Sequence, residues 1–156
     1  MATSCAPPAK APAAWHASLP APRNSTPDSI TREELLDLFS KKDRSVKDFV
    51  LVDLRRTDYV GGTIHGSINL PAQSLYPTIP SLYEIFAAAG VRMVIWYCGS
   101  SKGRGSRAAG WFDDYIKDRG DKEMRIAILE GGVTGWAGAG EEYVKLMDGY
   151  VESAWK

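Results

Sequence analysis

The segment Cys98-Gly99-Ser100-Ser101-Lys102-Gly103-Arg104 sets one thiol and one guanidinium at the two ends of a run of small residues and a single lysine. A tetrahedral oxyanion is held by several donors that converge on one point. Small residues let consecutive backbone N–H groups turn into one concavity, and glycines at 99 and 103 remove the steric cost of unusual φ values. Arg104 adds a planar fork that grips two oxygens at once, a geometry lysine does not reproduce. If a helix starts here, its N-terminal partial charge acts on the same spot. That field also favours a thiolate, since cysteines in such settings have pKa values of roughly 3.5–7.5 rather than about 8.5. The expected roles are therefore Cys98 as nucleophile, Arg104 as oxyanion grip, and Gly99, Ser100, Ser101, Lys102 and Gly103 as substrate-binding lining. A Cys-x5-Arg pair by itself is a short pattern, and a free cysteine beside a strand commonly packs as a small apolar group. The surrounding elements have to decide between the two.

Met93-Val94-Ile95-Trp96-Tyr97 is a continuous apolar run that leads directly into Cys98, and Ala108, Trp111, Phe112, Tyr115 and Ile116 beyond the loop form a helical stripe closed by Gly120. The loop thus sits at the carboxyl end of a strand and opens a helix, the usual place for chemistry in an α/β sheet. Upstream, Thr31-Arg32-Glu33-Glu34 is a capping-box pattern ahead of Leu35, Leu36, Leu38 and Phe39. Phe49 to Val52 reads as a buried strand ending in Asp53, and Ser67 to Leu70 as a shorter one. Leu82, Ile85, Phe86 and Ala89 share one helix face, with Gly90 where a C-cap glycine belongs. Downstream come a strand over Arg125 to Leu129, the pair Gly131-Gly132, and a final helix over Glu141 to Met147. This alternation predicts an α/β, three-layer fold with a mainly parallel sheet flanked by helices on both faces. Residues 1–28 read as an Ala/Pro-rich flexible tail in which Trp15 is solvated or partly ordered, and 29–156 as the catalytic domain.

Bulk composition narrows the function. A chain of 156 residues supports one compact core and a single site. Lys plus Arg and Asp plus Glu both number 19, so no net field gathers nucleic acid or an anionic membrane, and any anion is held locally. No run approaches the roughly 18 apolar residues that span a bilayer. Two cysteines, with Cys5 in the tail, make no disulfide framework. An uncleaved chain in a reducing, cytoplasmic setting is expected, with no metal-ligand cluster and no nucleotide fingerprint.

Two flanking segments add specificity. Asp53-Leu54-Arg55-Arg56-Thr57-Asp58-Tyr59-Val60-Gly61-Gly62-Thr63-Ile64-His65-Gly66-Ser67-Ile68-Asn69-Leu70-Pro71 resembles the D-x-R to G-x-I-x-G segment of rhodanese-like domains, and Leu129-Glu130-Gly131-Gly132-Val133-Thr134-Gly135-Trp136 resembles their closing L-x-G-G-x-x-x-W. With Cys98 between them, the resemblance covers about residues 29 to 147. Within that family the loop from Cys98 to Arg104 has the longer form associated with phosphate and arsenate rather than sulfane sulfur. Asp58 to Gly62 and the loop order are most similar to fungal arsenate reductases related to the cell-cycle phosphatases.

The resemblance implies an arsenate reductase-like thiol enzyme, with a small oxyanion as substrate, no bound cofactor, and glutathione with glutaredoxin as reductant. A small phosphatase, a sulfurtransferase carrying a Cys98 persulfide and a non-catalytic rhodanese module are the alternatives. The loop lacks an Asp or Glu that would protonate an alkoxide leaving group, which favours arsenate, where water leaves. Cys5 is the one candidate internal resolving thiol. Two positions depart from the family: Tyr97 stands where histidine is usual, which bears on thiolate activation, and Ser106 stands where proline is frequent. Asp53 and Arg55 are expected to form an ion pair that steadies their loop, His65 to be a turn residue, Gly131, Gly132 and Trp136 to set packing near the site, and Arg107 to add positive charge at its mouth.

Overall fold

The structure is a computed structural model that describes residues 14–156. Its elements in order are β1 (Ser29–Ile30), α1 (Arg32–Phe39), β2 (Val50–Asp53), β3 (Thr63–Ile64), β4 (Ile68–Asn69), α2 (Ala72–Leu75), α3 (Ile79–Ala88), β5 (Met93–Tyr97), α4 (Arg104–Asp118), β6 (Arg125–Leu129), α5 (Gly132–Ala137), α6 (Glu141–Val144) and β7 (Met147–Asp148). Short 3-10 turns cover Tyr76–Thr78 and Glu152–Trp155. Five strands form one parallel sheet in the order β1-β6-β5-β2-β4. The expected three-layer α/β arrangement is what the chain adopts.

Strand alternation sorts the core into two sides. Val50, Val52, Val94, Trp96, Ile126 and Ile128 point into the layer with α2, α3 and α4, where Phe86, Trp111 and Phe112 meet them. Leu51, Ile95, Tyr97, Ala127 and Leu129 point the other way, against Leu35 of α1, Val133 and Trp136 of α5 and Tyr143 of α6. The central strands are apolar on both faces because both faces are covered. The capping reading of α1 holds: the Thr31 hydroxyl accepts from the Glu34 N–H at 3.1 Å. Gly90 and Gly120, at φ 74° and 70°, follow the ends of α3 and α4, where a left-handed residue lets the last carbonyls be satisfied.

The structure corrects one expectation and gives part of another segment a position. The final helix stops at Val144, and Met147–Asp148 is instead a strand paired antiparallel with β3. The Leu146 carbonyl accepts from the His65 N–H at 2.8 Å, so sheet pairing captures the backbone that apolar spacing alone would have kept helical. The expected flexible tail is, from residue 14 onward, a strap laid along α4. The Trp111 indole N–H donates to the Pro20 carbonyl at 2.8 Å, the Arg23 and Asn24 N–H groups donate to Asp114, and Trp15 packs edge-on against Trp111 at 6.0 Å between ring centroids. Polar bonds and the packing of only two apolar side chains, Trp15 and Leu19, hold this strap, so no apolar periodicity announces it. Gly110 accommodates it: a Cβ there would lie 2.5 Å from the Asn24 carbonyl oxygen. No helix among the described residues is long and apolar enough to cross a membrane.

Candidate active site

Cys98 is the first residue beyond β5, the central partner of β2 and β6. Alternation turns its side chain toward the α4 layer, where only 2 % of the residue is exposed. The chain then curls back: Ser101, with φ 65° the sole non-glycine residue of positive φ among those described, donates its N–H to the Cys98 Sγ at 3.1 Å. An αL residue without glycine's freedom costs about 1–2 kcal/mol, and here it aims an N–H at the sulfur. The hydroxyl of Ser101 is buried and has no protein partner. Gly103 caps α4 without a side-chain acceptor, and the first turn of α4 contains no acid. Among the described residues the N–H groups of Gly99, Ser100, Gly103 and Arg104 likewise donate to no protein acceptor. The loop is therefore a concavity of free donors over a thiol, at the positive end of a 15-residue helix.

Arg104 leans across the start of this loop, its Nη2 3.9 Å from where a Gly99 Cβ would be. Its fork is engaged by a residue that the sequence singled out only as part of a motif. The Nη1 and Nη2 groups donate to Asp58 Oδ1 and Oδ2 at 2.9 and 2.6 Å. The guanidinium pKa is raised, first by the Asp58 hydrogen bond and, in part, by the Cys98 sulfur, with burial opposing. Asp58 in turn is lowered to about 2, mainly by the Arg104 hydrogen bond.

Asp58 is placed by the Asp53–Arg55 pair. Asp53 and Arg55 are both buried and joined at 2.8 Å. The guanidinium then spends its remaining N–H groups on the carbonyls of Asp58, Val60 and Gly62, at 3.4, 3.1 and 2.7 Å. Asn69 clamps the same turn by donating to the carbonyls of Asp53 and Arg55. The expected steadying ion pair is thus a scaffold that folds the 55–62 loop over the thiol loop. A buried pair with every partner present is costly to break from one side.

Tyr97 belongs to the far side of the sheet. Its hydroxyl meets Thr63 Oγ1 at 2.8 Å and Ser67 Oγ at 2.6 Å, and Thr63 donates onward to Asp53 at 2.8 Å. Burial and the Asp53 charge push the phenol pKa up. Tyr97 therefore reaches the site through Thr63, Asp53 and Arg55, with no hydrogen bond to Cys98. Thr63 and Ser67 were not singled out by sequence; their shared partner sits 34 and 30 positions away.

The remaining expected residues fall around this centre. Gly131 and Gly132, both of positive φ, bring α5 onto the loop, so that Val133 and Thr134 donate to the Cys98 and Gly99 carbonyls at 3.0 Å. Trp136 is buried behind them, its indole donating to the Tyr143 carbonyl. His65 pairs with Asp148 on the β3–β7 ribbon. Arg107 lies over Trp111 and, with Lys102, Trp15 and His16, lines a cleft of about 370 Å³ beside the loop. Cys5 lies outside the described residues.

Known proteins are similar to this chain in sequence and fold. Arsenical-resistance protein 2 of Saccharomyces cerevisiae is 31% identical over 97 residues, which cover 58% of this chain and 75% of the yeast protein. The structure of the As-Sb reductase from Leishmania major superposes with a TM-score of 0.62 at 27% identity, over 69% of this chain and 74% of that one. A yeast protein tyrosine phosphatase of the rhodanese family matches with a TM-score of 0.68 at 23% identity, over 83% and 96% of the two chains, and shares the fold. Residues 31–139 match the Rhodanese-like domain, and with its thiol loop between β5 and α4 the chain belongs to the rhodanese-like domain family.

Proposed function

We propose that the protein is an arsenate reductase in which Cys98 attacks arsenic(V) held in the 98–104 loop, with glutathione and glutaredoxin completing the reduction. The observation that carries this reading is the Ser101 N–H on the Cys98 Sγ, with the Arg104 guanidinium beside Gly99 at the start of the loop and a set of loop donors that no described protein group uses. Four arsenate oxygens suit such a cradle, whereas a sulfane sulfur has one atom to offer.

The steps balance as follows. The Cys98 thiolate forms an S–As bond while one arsenate oxygen, protonated, leaves as water. A glutathione thiolate then attacks the Cys98 sulfur, the S–As electron pair passes to arsenic, and arsenite departs as a mixed disulfide forms on Cys98. A glutaredoxin thiol restores Cys98 by exchange. Lys102 and Arg107, at the cleft beside the loop, offer positive charge to an anionic thiol.

A phosphatase additionally needs an acid for an alkoxide leaving group. The carboxyl beside Arg104 is Asp58, held ionised with a pKa of about 2, which is a poor proton donor near neutrality. The test is a side-by-side assay with arsenate plus glutathione and glutaredoxin, p-nitrophenyl phosphate, and thiosulfate plus cyanide. Turnover confined to thiosulfate and indifferent to phosphate or vanadate would overturn the proposal.

A further inference from the structure

The Arg104 fork is aimed at two places at once. Its Nη2 is the nitrogen nearest the start of the thiol loop and also the donor of the 2.6 Å bond to Asp58. Asp58 takes both terminal nitrogens in parallel, the same pairing that two oxygens of a phosphate-like ion would form.

We infer that Asp58 is a built-in competitor for Arg104, a carboxylate that stands in for substrate oxygens and is exchanged for them when an oxyanion enters the loop. This rests on the oxyanion-binding reading of the loop and not on the arsenate chemistry. A carboxylate and a dianion sharing one guanidinium repel each other within a few ångströms, and inside a partly buried site that repulsion outweighs what an exposed ion pair is worth. Release is easy for Asp58, whose side chain is 48 % exposed. Its turn does not depend on the Arg104 contact, because Arg55 holds the backbone of 58–62 through its carbonyls, and the swing gives up only the 3.1 Å bond that Asp58 Oδ1 accepts from the Arg56 N–H. Only the side chain has to swing.

The exchange sets selectivity. An anion that cannot outbid a two-pronged carboxylate does not gain Arg104, so weakly charged monoanions are filtered out and oxyanions with paired, negatively charged oxygens are admitted. Asp58 is thus a specificity-determining residue that touches the arginine and not the reacting atoms.

The alternative geometry is that an anion approaches Arg104 from its Nε side while Asp58 keeps its hold and orients the guanidinium. The two arrangements predict opposite effects of one substitution. Asp58→Asn removes the competing charge and keeps an acceptor for the Arg56 N–H. Binding of inorganic phosphate to the full chain and to this variant, followed by NMR of the loop amides and by protection of Cys98 from iodoacetamide, should tighten by up to about fivefold in the variant. Asp58→Ala should show the same direction. The gain should persist at an ionic strength of about 1 M, where through-space effects are screened beyond roughly 3 Å. Unchanged or weaker phosphate binding in both variants, or a gain that vanishes with salt, overturns the competitor. No phosphate binding by any of the proteins, wild type included, overturns the oxyanion site together with it.

Discussion

A Cβ at Gly132 would lie 2.5 Å from the carbonyl oxygen of Cys98. The first residue of α5 is therefore pressed against the backbone of the nucleophile itself, and its φ of +58° is a conformation that side chains resist. Gly132→Ala should destabilise the protein by more than about 1–2 kcal/mol, the cost of the backbone conformation alone, and push the thiol loop out of shape. Urea unfolding measures the first effect. The second should appear as weakened phosphate protection of Cys98 against alkylation, and a variant with normal stability and normal protection would show that the contact is not tight.

Cys98→Ser keeps the size of the side chain and removes the nucleophile. Turnover should disappear in whichever of the three assays the wild-type protein satisfies, while thermal stability and phosphate binding stay close to wild type. Full activity of the serine variant would exclude Cys98 from bond formation.

Arg104→Lys keeps the charge and loses the fork. With one charge-assisted hydrogen bond worth roughly 1.5–3 kcal/mol, oxyanion affinity should drop about ten- to a hundredfold. Titration with phosphate or vanadate measures it, and the drop should extend to arsenate as a higher KM. Equal affinity in the lysine variant would mean that the loop amides alone hold the ion.

Tyr97 closes a hydrogen-bond chain through Thr63 to Asp53. Tyr97→Phe leaves Thr63 bonded to Asp53 but strands the Ile64 N–H that the phenol oxygen accepts from, at a cost of about 1–3 kcal/mol. Because the ring lies on the opposite sheet face from Cys98, the dependence of Cys98 alkylation on pH should move little. A large shift in that profile with unaltered stability would reverse the assignment of Tyr97 to the scaffold.

The Asp58–Arg104 pair also carries a pH signature. The folded protein lowers the Asp58 pKa from 3.8 to about 2, so the native state binds this proton less readily than the unfolded chain. The stabilisation is complete above about pH 4 and is lost as pH falls through about 2. Exposure and screening hold its size to about 1 kcal/mol or less. Asp58→Asn should therefore be slightly less stable than wild type at neutral pH, and the difference should close in acid unfolding near pH 2; a gap that stays constant with pH would assign it to something other than this charge.

Much of this site was legible before any coordinates. β5 and β6 cover the stretches read as strands, Met93–Tyr97 and Arg125–Leu129, and the thiol loop stands where a strand must hand over to a helix. Which way Tyr97 faces was also readable, since residues 96 and 98 share one face and 97 takes the other. Asp58 was not, because its contact with Arg104 spans 46 positions and depends on a turn that Arg55 folds through carbonyl groups, which every residue type possesses. β3 and β7, at two residues each, are too short for any periodicity to register, and the strap over α4 is fastened by side-chain acids to backbone N–H groups.

That strap has a counterpart at the other end of the described chain. Trp155 donates its indole N–H to the Gly61 carbonyl at 2.9 Å and lies beside the Arg55 guanidinium, on the loop that presents Asp58, while residues 20–24 grip the helix that presents Arg104. Neither brace falls within the 31–139 stretch that matches the family. The matched stretch is therefore not a portable module: grafted into another protein or trimmed to its family limits, it would keep Cys98 and Arg104 and lose the two clasps that hold the Asp58 loop and α4 in place.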